Sequence, residues 1–453
     1  MVENKVDLSA YLIFIVSLSL IGICILLNIP LYCGFAGAVV FSTAVLVRKG
    51  HELKTLNNMM LIGIKDCSKL MIIIILTGAT VSIWLSSGIV PTLMYYGFEY
   101  IKHINYVLAC FLVTAVVSVV MGTAVGTVST IGIALIGIGK GFAIPDQMLL
   151  GAVVSGAFIA DRISPISGLV NLMLKTTDLK YRDYVKSMLN TLAPSLVIAA
   201  AAYYFIGKDY MSVTDPAKIA IFQGNINSAF VITPILLLLP IIVITMAVCG
   251  VKPIINMSIG VAGGSLISIF LQKKTVFEVF QYIFSGYKST TGIAELDSIL
   301  RGGGIQPMIE VLLIVAGAIA LSSLLEGTNI INPIIASVMD RAKTKISLIA
   351  RTAAFSSLLT IVTCDQTAGI ILLGRLLKKR FEDLGVNKVK LARTISDTGT
   401  TIAPLIPWNI NSIIILAITG VSTLQYAPYA VLCYIAPLMA VVFGSFKEKQ
   451  VEL

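Results

Sequence analysis

Charge is what this sequence has least of. Asp, Glu, Lys and Arg together make up 12% of the 453 residues, against 57% hydrophobic, so most of the chain cannot face water as the surface of a soluble domain does. Histidine is nearly absent: the only two, His51 and His103, are flanked by charged loop residues, which argues against a histidine metal site or a histidine general base. None of the seven cysteines forms a Cys-x-x-Cys pair, and Cys24, Cys33, Cys110, Cys249, Cys364 and Cys433 fall in apolar segments, where they read as small packing residues. No Walker motif occurs, because Gly139-Lys140-Gly141 lacks both the following Ser or Thr and the upstream spacing; ATP is then not an energy source the chain uses by itself. Neither a His-Glu-x-x-His nor a Gly-x-Gly-Asp signature of an intramembrane enzyme is present. The expectation is a non-enzyme without cofactor.

What is there instead is a series of long neutral runs punctuated by clusters of charge, the pattern of spans and loops. At about 20 residues per crossing these runs supply roughly ten to thirteen embedded helices. They are apolar throughout, not alternating, so a transmembrane barrel is disfavoured and an all-α polytopic membrane protein is expected. The first run, from about Leu8 to Ile29, follows Glu3, Lys5 and Asp7 and lacks a small-residue cleavage pattern; it reads as a retained span. The net charge of +10 comes from short connections: Arg48, Lys49, Lys54, Lys65 and Lys69; Lys175, Lys180, Arg182 and Lys186; and Lys378, Lys379, Arg380, Lys388, Lys390 and Arg393. The positive-inside bias makes these loops cytoplasmic, and a short link near Asn28 to Leu31 then puts the amino terminus inside as well. The expected setting is the cell membrane, with the lipid bilayer as partner, no nucleic acid, and a homodimer admitted.

The chain also repeats itself. Gly78-Ala79 opens a segment that reaches Gly88 and Pro91, and Gly317-Ala318 opens one that reaches Gly327 and Pro333. Gly126 follows Gly88, and Asp365 follows Gly327, at one spacing; Asp161 with Ser164-Pro165 is echoed by Asp397 with Thr400, Thr401 and Pro404. A common offset of roughly 239 residues makes duplication the better account. An odd number of crossings in each half would invert the repeats and place a substrate site between them at the midplane. The expected division is 1–69 (amino-terminal spans and basic loop), 70–206 (first repeat), 207–305 (connecting spans and loop), 306–446 (second repeat) and 447–453 (tail). Ile104 to Gly139 carries no charge over 36 residues, too long for one crossing of about 20 and short for two with a loop. Its centre, Gly122-Thr-Ala-Val-Gly126-Thr127, reads either as an interrupted or re-entrant helix or as a glycine-rich packing face.

Three carboxylates stand in the apolar stretches: Asp161, Asp365 and Asp397. An ionised side chain at mid-bilayer depth costs roughly 2.5 to 3.5 kcal/mol even on the lenient insertion scale, so a bound cation or proton is the economical compensation. The competing structural readings are a salt bridge of Asp161 with Arg162, awkward because helix neighbours point about 100° apart; a polar staple through Asp365-Gln366-Thr367; and an N-cap in Ser396-Asp-Thr-Gly. Glu310 and Glu326 bracket an apolar helix and read as interfacial. Hard monovalent cations want several oxygen ligands. The candidate ion and proton ligands are Asp161, Asp365, Asp397, Thr123, Thr127, Ser164, Ser167, Thr398, Thr400 and Thr401, with sodium at Asp161 and Asp397. Candidate substrate contacts are Arg162, Asn171, Gln366 and Asn409.

At these residues the chain resembles the NhaC family of sodium/proton antiporters, within the broad ion-transporter superfamily. The likeness runs from about Leu76 to Asn409 through Gly78-Ala-Thr-Val-Ser-Ile-Trp84 with Gly88 and Pro91, Gly122 to Thr127, Asp161-Arg-Ile-Ser164-Pro165-Ile-Ser167, Asp365-Gln366, and Ser396-Asp397-Thr-Gly-Thr400 with Pro404, Pro407, Trp408 and Asn409. The resemblance implies an inverted-repeat fold with interrupted helices, a transport domain moving against a scaffold, and exchange of transported Na+ for H+. Family members also include a malate/lactate exchanger and amino-acid carriers, so an ion-coupled exchanger of small organic anions or amino acids stands as the alternative, using Arg162 or a helix amino end against a carboxylate. The chain departs from the family in having Ala124 and Val125 in the glycine-threonine motif, Gly168, Leu169 and Val170 where a carboxylate and two hydroxyls are usual, and Arg162 in place of a lysine.

Overall fold

The computed structural model describes residues 8–27, 29–100, 104–141, 144–210, 216–249, 251–330, 333, 335, 338–339 and 342–444. Asn28, His103 and the 447–453 tail lie outside them. The protein is helical, and its only strands among the described residues are the two-residue pair Tyr287–Lys288 and Arg301–Gly302. Eight helices are long and apolar enough to cross a membrane, and two bent pairs, Ala220–Ala229 with Pro234–Met246 (87°) and Thr423–Tyr429 with Val431–Gly444 (59°), supply up to two more. Phe270, Val197, Phe205 and Val116 are among the large apolar side chains left bare on this surface, as a lipid-facing exterior requires.

The run from Ile104 to Gly139 folds as a hairpin of two helices, Tyr106–Met121 and Ala124–Gly139, each shorter than a full crossing. Asn105 starts the hairpin by accepting the Leu108 amide at 3.1 Å. Gly122 ends its first arm in the left-handed conformation at φ +69°, where a side chain is disfavoured. Lys345–Thr363, long enough to cross, and the shorter Thr367–Leu376 form the second hairpin; Thr344 caps it and Cys364 makes the turn at φ +61°. A glycine and a cysteine thus do the same backbone work at matching points of the two halves.

Each hairpin is followed by an interrupted helix. In the first half Asp146–Ala157 breaks, resumes for one turn as Ala160–Ile163, breaks again through Ser164-Pro165, and continues as Gly168–Thr177. In the second, Lys388–Ile395 passes into a π-helical turn, Ser396–Thr400, then Ala403–Leu405 and Ile410–Thr419. Prolines deny the ladder its amides at both breaks. Close approach holds the first hairpin to the first interrupted helix: a side chain at Gly156 would meet the Thr114 hydroxyl at 2.1 Å, and Ser118 donates to the Gly156 carbonyl at 3.0 Å.

The halves interleave. Ala160–Ile163 packs on the π-turn Ser396–Thr400, Gly168–Thr177 packs on Thr367–Leu376, and Ile410–Thr419 reaches the tip of the first hairpin. Around them Ser68–Ser86, Pro253–Phe270 and Ile305–Gly327 pack together. The glycine run Gly302 to Gly304 lies as a loop against Ser68–Ser86, with the Gly304 amide bonded to the Gly78 carbonyl at 2.7 Å.

All three basic clusters differ from the loops expected, Arg182 and Lys186 lying in the helix Tyr181–Gly207. Lys54 and Lys65 belong to a helix, Leu53–Asp66, because apolar residues recur at helical spacing there. Arg393 is in a helix and is 2% exposed; the neighbouring Leu391, Ala392 and Ile395 carry it inward. Its guanidinium reaches the Ser187 hydroxyl at 3.3 Å and the Phe443 carbonyl at 3.4 Å.

Candidate functional site

The two breaks meet at the centre of the interleaved core. There Arg162, fully buried, donates from one terminal nitrogen to Oδ1 of Asp397, itself fully buried. One residue comes from each half, so the pair links the break of the first interrupted helix to the π-turn of the second. Among the described residues, the guanidinium Nε and second terminal nitrogen, and Oδ2 of Asp397, have no hydrogen-bond partner. The structure puts a guanidinium where the sequence suggested a transported cation. Arg393 sits one turn before Asp397 as a second buried guanidinium.

Asp161 is placed differently. Its helix neighbour Arg162 points to the other half, as the rotation between adjacent helical residues demands. Among the described residues Asp161 has a hydroxyl partner and no ion pair: Ser167 donates to Oδ1 at 3.1 Å. Asp161 as a residue is half-buried, whereas Ser167 is buried. Asn171 holds the bend between them, donating to the carbonyls of Pro165 at 3.0 Å and Ser167 at 2.9 Å. Ser164 donates to the Val119 carbonyl at 2.6 Å, stitching the bend to the first hairpin tip.

Several expected ligands spend their hydroxyls on their own helices. Thr127 donates to the Thr123 carbonyl at 2.8 Å, Thr398 to Thr394 at 2.6 Å and Thr401 to Ser396 at 2.8 Å. Thr123 caps its helix by accepting the Gly126 amide at 3.3 Å. Thr400 is the exception, buried with an unpartnered hydroxyl.

Asp365 lies apart from the Arg162–Asp397 pair, at the second hairpin tip, where Oδ2 accepts the Thr367 amide at 3.0 Å. Beside it Gln366 accepts from Asn411 at 3.2 Å, and Asn411 also donates to Asn409 at 3.0 Å. The side-chain nitrogens of Gln366 and Asn409 remain unpartnered and buried. Trp408 donates to the Ile361 carbonyl at 2.7 Å, so this tip too is stitched to the break that follows it. Asn411 and Tyr184, whose hydroxyl donates to Ser396 at 2.9 Å, were not singled out from the sequence, and Arg393 was read there only as a loop charge. A second arginine within one turn of an aspartate in an apolar stretch was the available signal for Arg393.

Residues 168–447 match the model of the Na+/H+ antiporter family. The chain is 30% identical over 390 residues, 86% of its length and 84% of the relative's, to the Na(+)/H(+) antiporter NhaC of Alkalihalophilus pseudofirmus. It is 28% identical to the Malate-2H(+)/Na(+)-lactate antiporter of Bacillus subtilis (88% of this chain, 85% of that one) and 28% identical to the Na(+)/H(+) antiporter NhaC of Bacillus subtilis (96% and 97%).

Proposed function

Because this chain belongs to the Na+/H+ antiporter family, we propose that it is a multi-pass secondary transporter exchanging sodium for protons by alternating access, with Asp161 as the carboxylate that both cations share. The observation that carries this reading is the contrast within the core. Asp161 has only the Ser167 hydroxyl as its described side-chain partner, so a negative charge set in an apolar stretch lacks a fixed neutraliser. Such a charge costs roughly 2.5 to 3.5 kcal/mol unless a mobile cation covers it. Sodium and proton then compete for one oxygen pair, and a protein that changes face only when the site is filled exchanges them. Ser164 and Ser167 shape the site, and Thr123 and Thr127 form the hairpin tip across from it. The Asp365, Gln366 and Asn409 cluster is the corresponding feature of the second repeat. The repeats are taken as 70–206 and 306–446, inverted with respect to each other, in a cell-membrane protein with its amino terminus in the cytoplasm.

The relative named as a malate/lactate antiporter, together with the unpartnered donors of Arg162, supports a second reading in which a small organic anion travels with the cation. One assay separates the two. Protein is reconstituted in vesicles with an acidic interior, and sodium, potassium, lithium, malate or lactate is added outside while the pH gradient is followed. Collapse by sodium alone is the expected result. Collapse that requires an organic anion replaces the first reading by the second.

A further inference from the structure

The two aspartates at the matching breaks are not equivalent. Asp161 is partly exposed and bonded to a serine, whereas Asp397 is sealed from solvent and covered by Arg162 from the opposite half, with Arg393 one turn away. A guanidinium keeps its charge at any working pH. The cation on Asp397 is therefore part of the chain and does not come and go. Breaking such a pair strands one charge in a dry site, which favours its persistence through the transport cycle. Asp365, the remaining carboxylate of the interrupted segments, caps the second hairpin's outgoing helix through the Thr367 amide.

We propose that the Arg162–Asp397 pair is a permanent internal neutraliser that withdraws Asp397 from cation exchange, leaving Asp161 as the exchangeable carboxylate of the two matching breaks, so that one sodium is traded for one proton with no net charge moved. The inference rests on the antiport reading above and adds its stoichiometry. Arg162 is here a positioning residue: it acts on the coupling through Asp397 and does not touch the transported ion.

The test is a null-point measurement in vesicles, with the membrane potential clamped by potassium and valinomycin. With one-for-one coupling, a tenfold sodium gradient holds a gradient of about one pH unit, at every imposed potential, because equal concentration ratios carry equal free energy. The variant Arg162→Gln returns Asp397 to service as a second proton carrier. Its null point falls to about half a pH unit per tenfold sodium gradient at zero potential and shifts with voltage. The double variant Arg162→Gln, Asp397→Asn removes the pair without leaving a charge; its rate falls, yet its coupling stays one for one, which keeps the test valid if the single variant does not fold. A wild type whose null point moves with voltage overturns the inference while leaving antiport intact. So does a double variant whose coupling departs from one for one. A wild type with no sodium/proton exchange at all overturns both.

Discussion

At Asp161 the chemistry reduces to oxygen atoms and their partners. Ser167 supplies one hydroxyl at 3.1 Å, and a net hydrogen bond of this kind contributes about 1 kcal/mol. Ser167→Ala is therefore predicted to weaken sodium affinity about fivefold without loss of membrane insertion, measured as the sodium concentration for half-maximal exchange. An unchanged half-maximal concentration would remove Ser167 from the site. This part of the site was legible in the sequence because Asp161, Ser164, Pro165 and Ser167 lie within one short segment. The partner of Arg162 was not, because Asp397 stands in the other half and nothing in either local stretch states which residues the fold brings together. Thr398 and Thr401 mislead for a related reason: a threonine in a helix can donate to the carbonyl one turn back, and its presence in a polar run does not reveal that it has done so.

At the scale of elements, the hairpin tips and the breaks are single units. Ser164 bonds Val119 in the first half and Trp408 bonds Ile361 in the second, so a shift of either tip drags the adjacent break. Gly122 makes the turn at the first tip. It holds φ +69° and a side chain there would meet Ile166 at 2.3 Å. Gly122→Ala is predicted to cost about 1 to 2 kcal/mol from the left-handed backbone and more from the overlap, lowering the thermal transition and slowing exchange. A variant as stable and as active as the wild type would show that the tip is not rigid. The Gly-Thr run marked the first hairpin tip in the sequence, where an interrupted helix was one of two readings. The second break was signalled by Asp365-Gln366 and by Pro404, but not its sharpest turn, at Cys364, since cysteine rarely adopts positive φ. The helix nature of Leu53–Asp66 was hidden by its lysines, which resemble a basic loop until the spacing of its apolar residues is followed.

Across the whole molecule two ion pairs among the described residues tie the halves together, one in the core and one outside it. The outer tie is Asp178, just past the end of the first interrupted helix. It pairs with Lys378, and its backbone carbonyl accepts from Lys388 at 2.8 Å. The Lys378 ammonium, by hydrogen bond and by charge, holds the Asp178 carboxyl below the usual carboxylate range. A depressed carboxylate stabilises the folded protein fully above its unfolded value of about 3.9 and loses that contribution as pH falls through the folded value. The difference in thermal stability between wild type and Asp178→Asn is therefore predicted to persist at neutral pH and to close below about pH 4. A gap that widened on acidification would contradict this assignment. The apolar runs were readable at this scale because clusters of charge interrupt them, and the landmarks at a constant offset support the proposed repeats. How the repeats interleave was not readable, because it is decided by contacts between distant segments.

The most direct measurement is proton release on sodium binding. Purified protein in weakly buffered detergent is titrated with sodium chloride, with choline chloride as control, while the bulk pH is recorded. If one carboxylate is shared by sodium and proton, wild type releases protons in proportion to sodium bound and Asp161→Asn, folded and monodisperse, releases none. Proton release by Asp161→Asn equal to that of the wild type would show that the competition takes place elsewhere, and the account of Asp161 would fail.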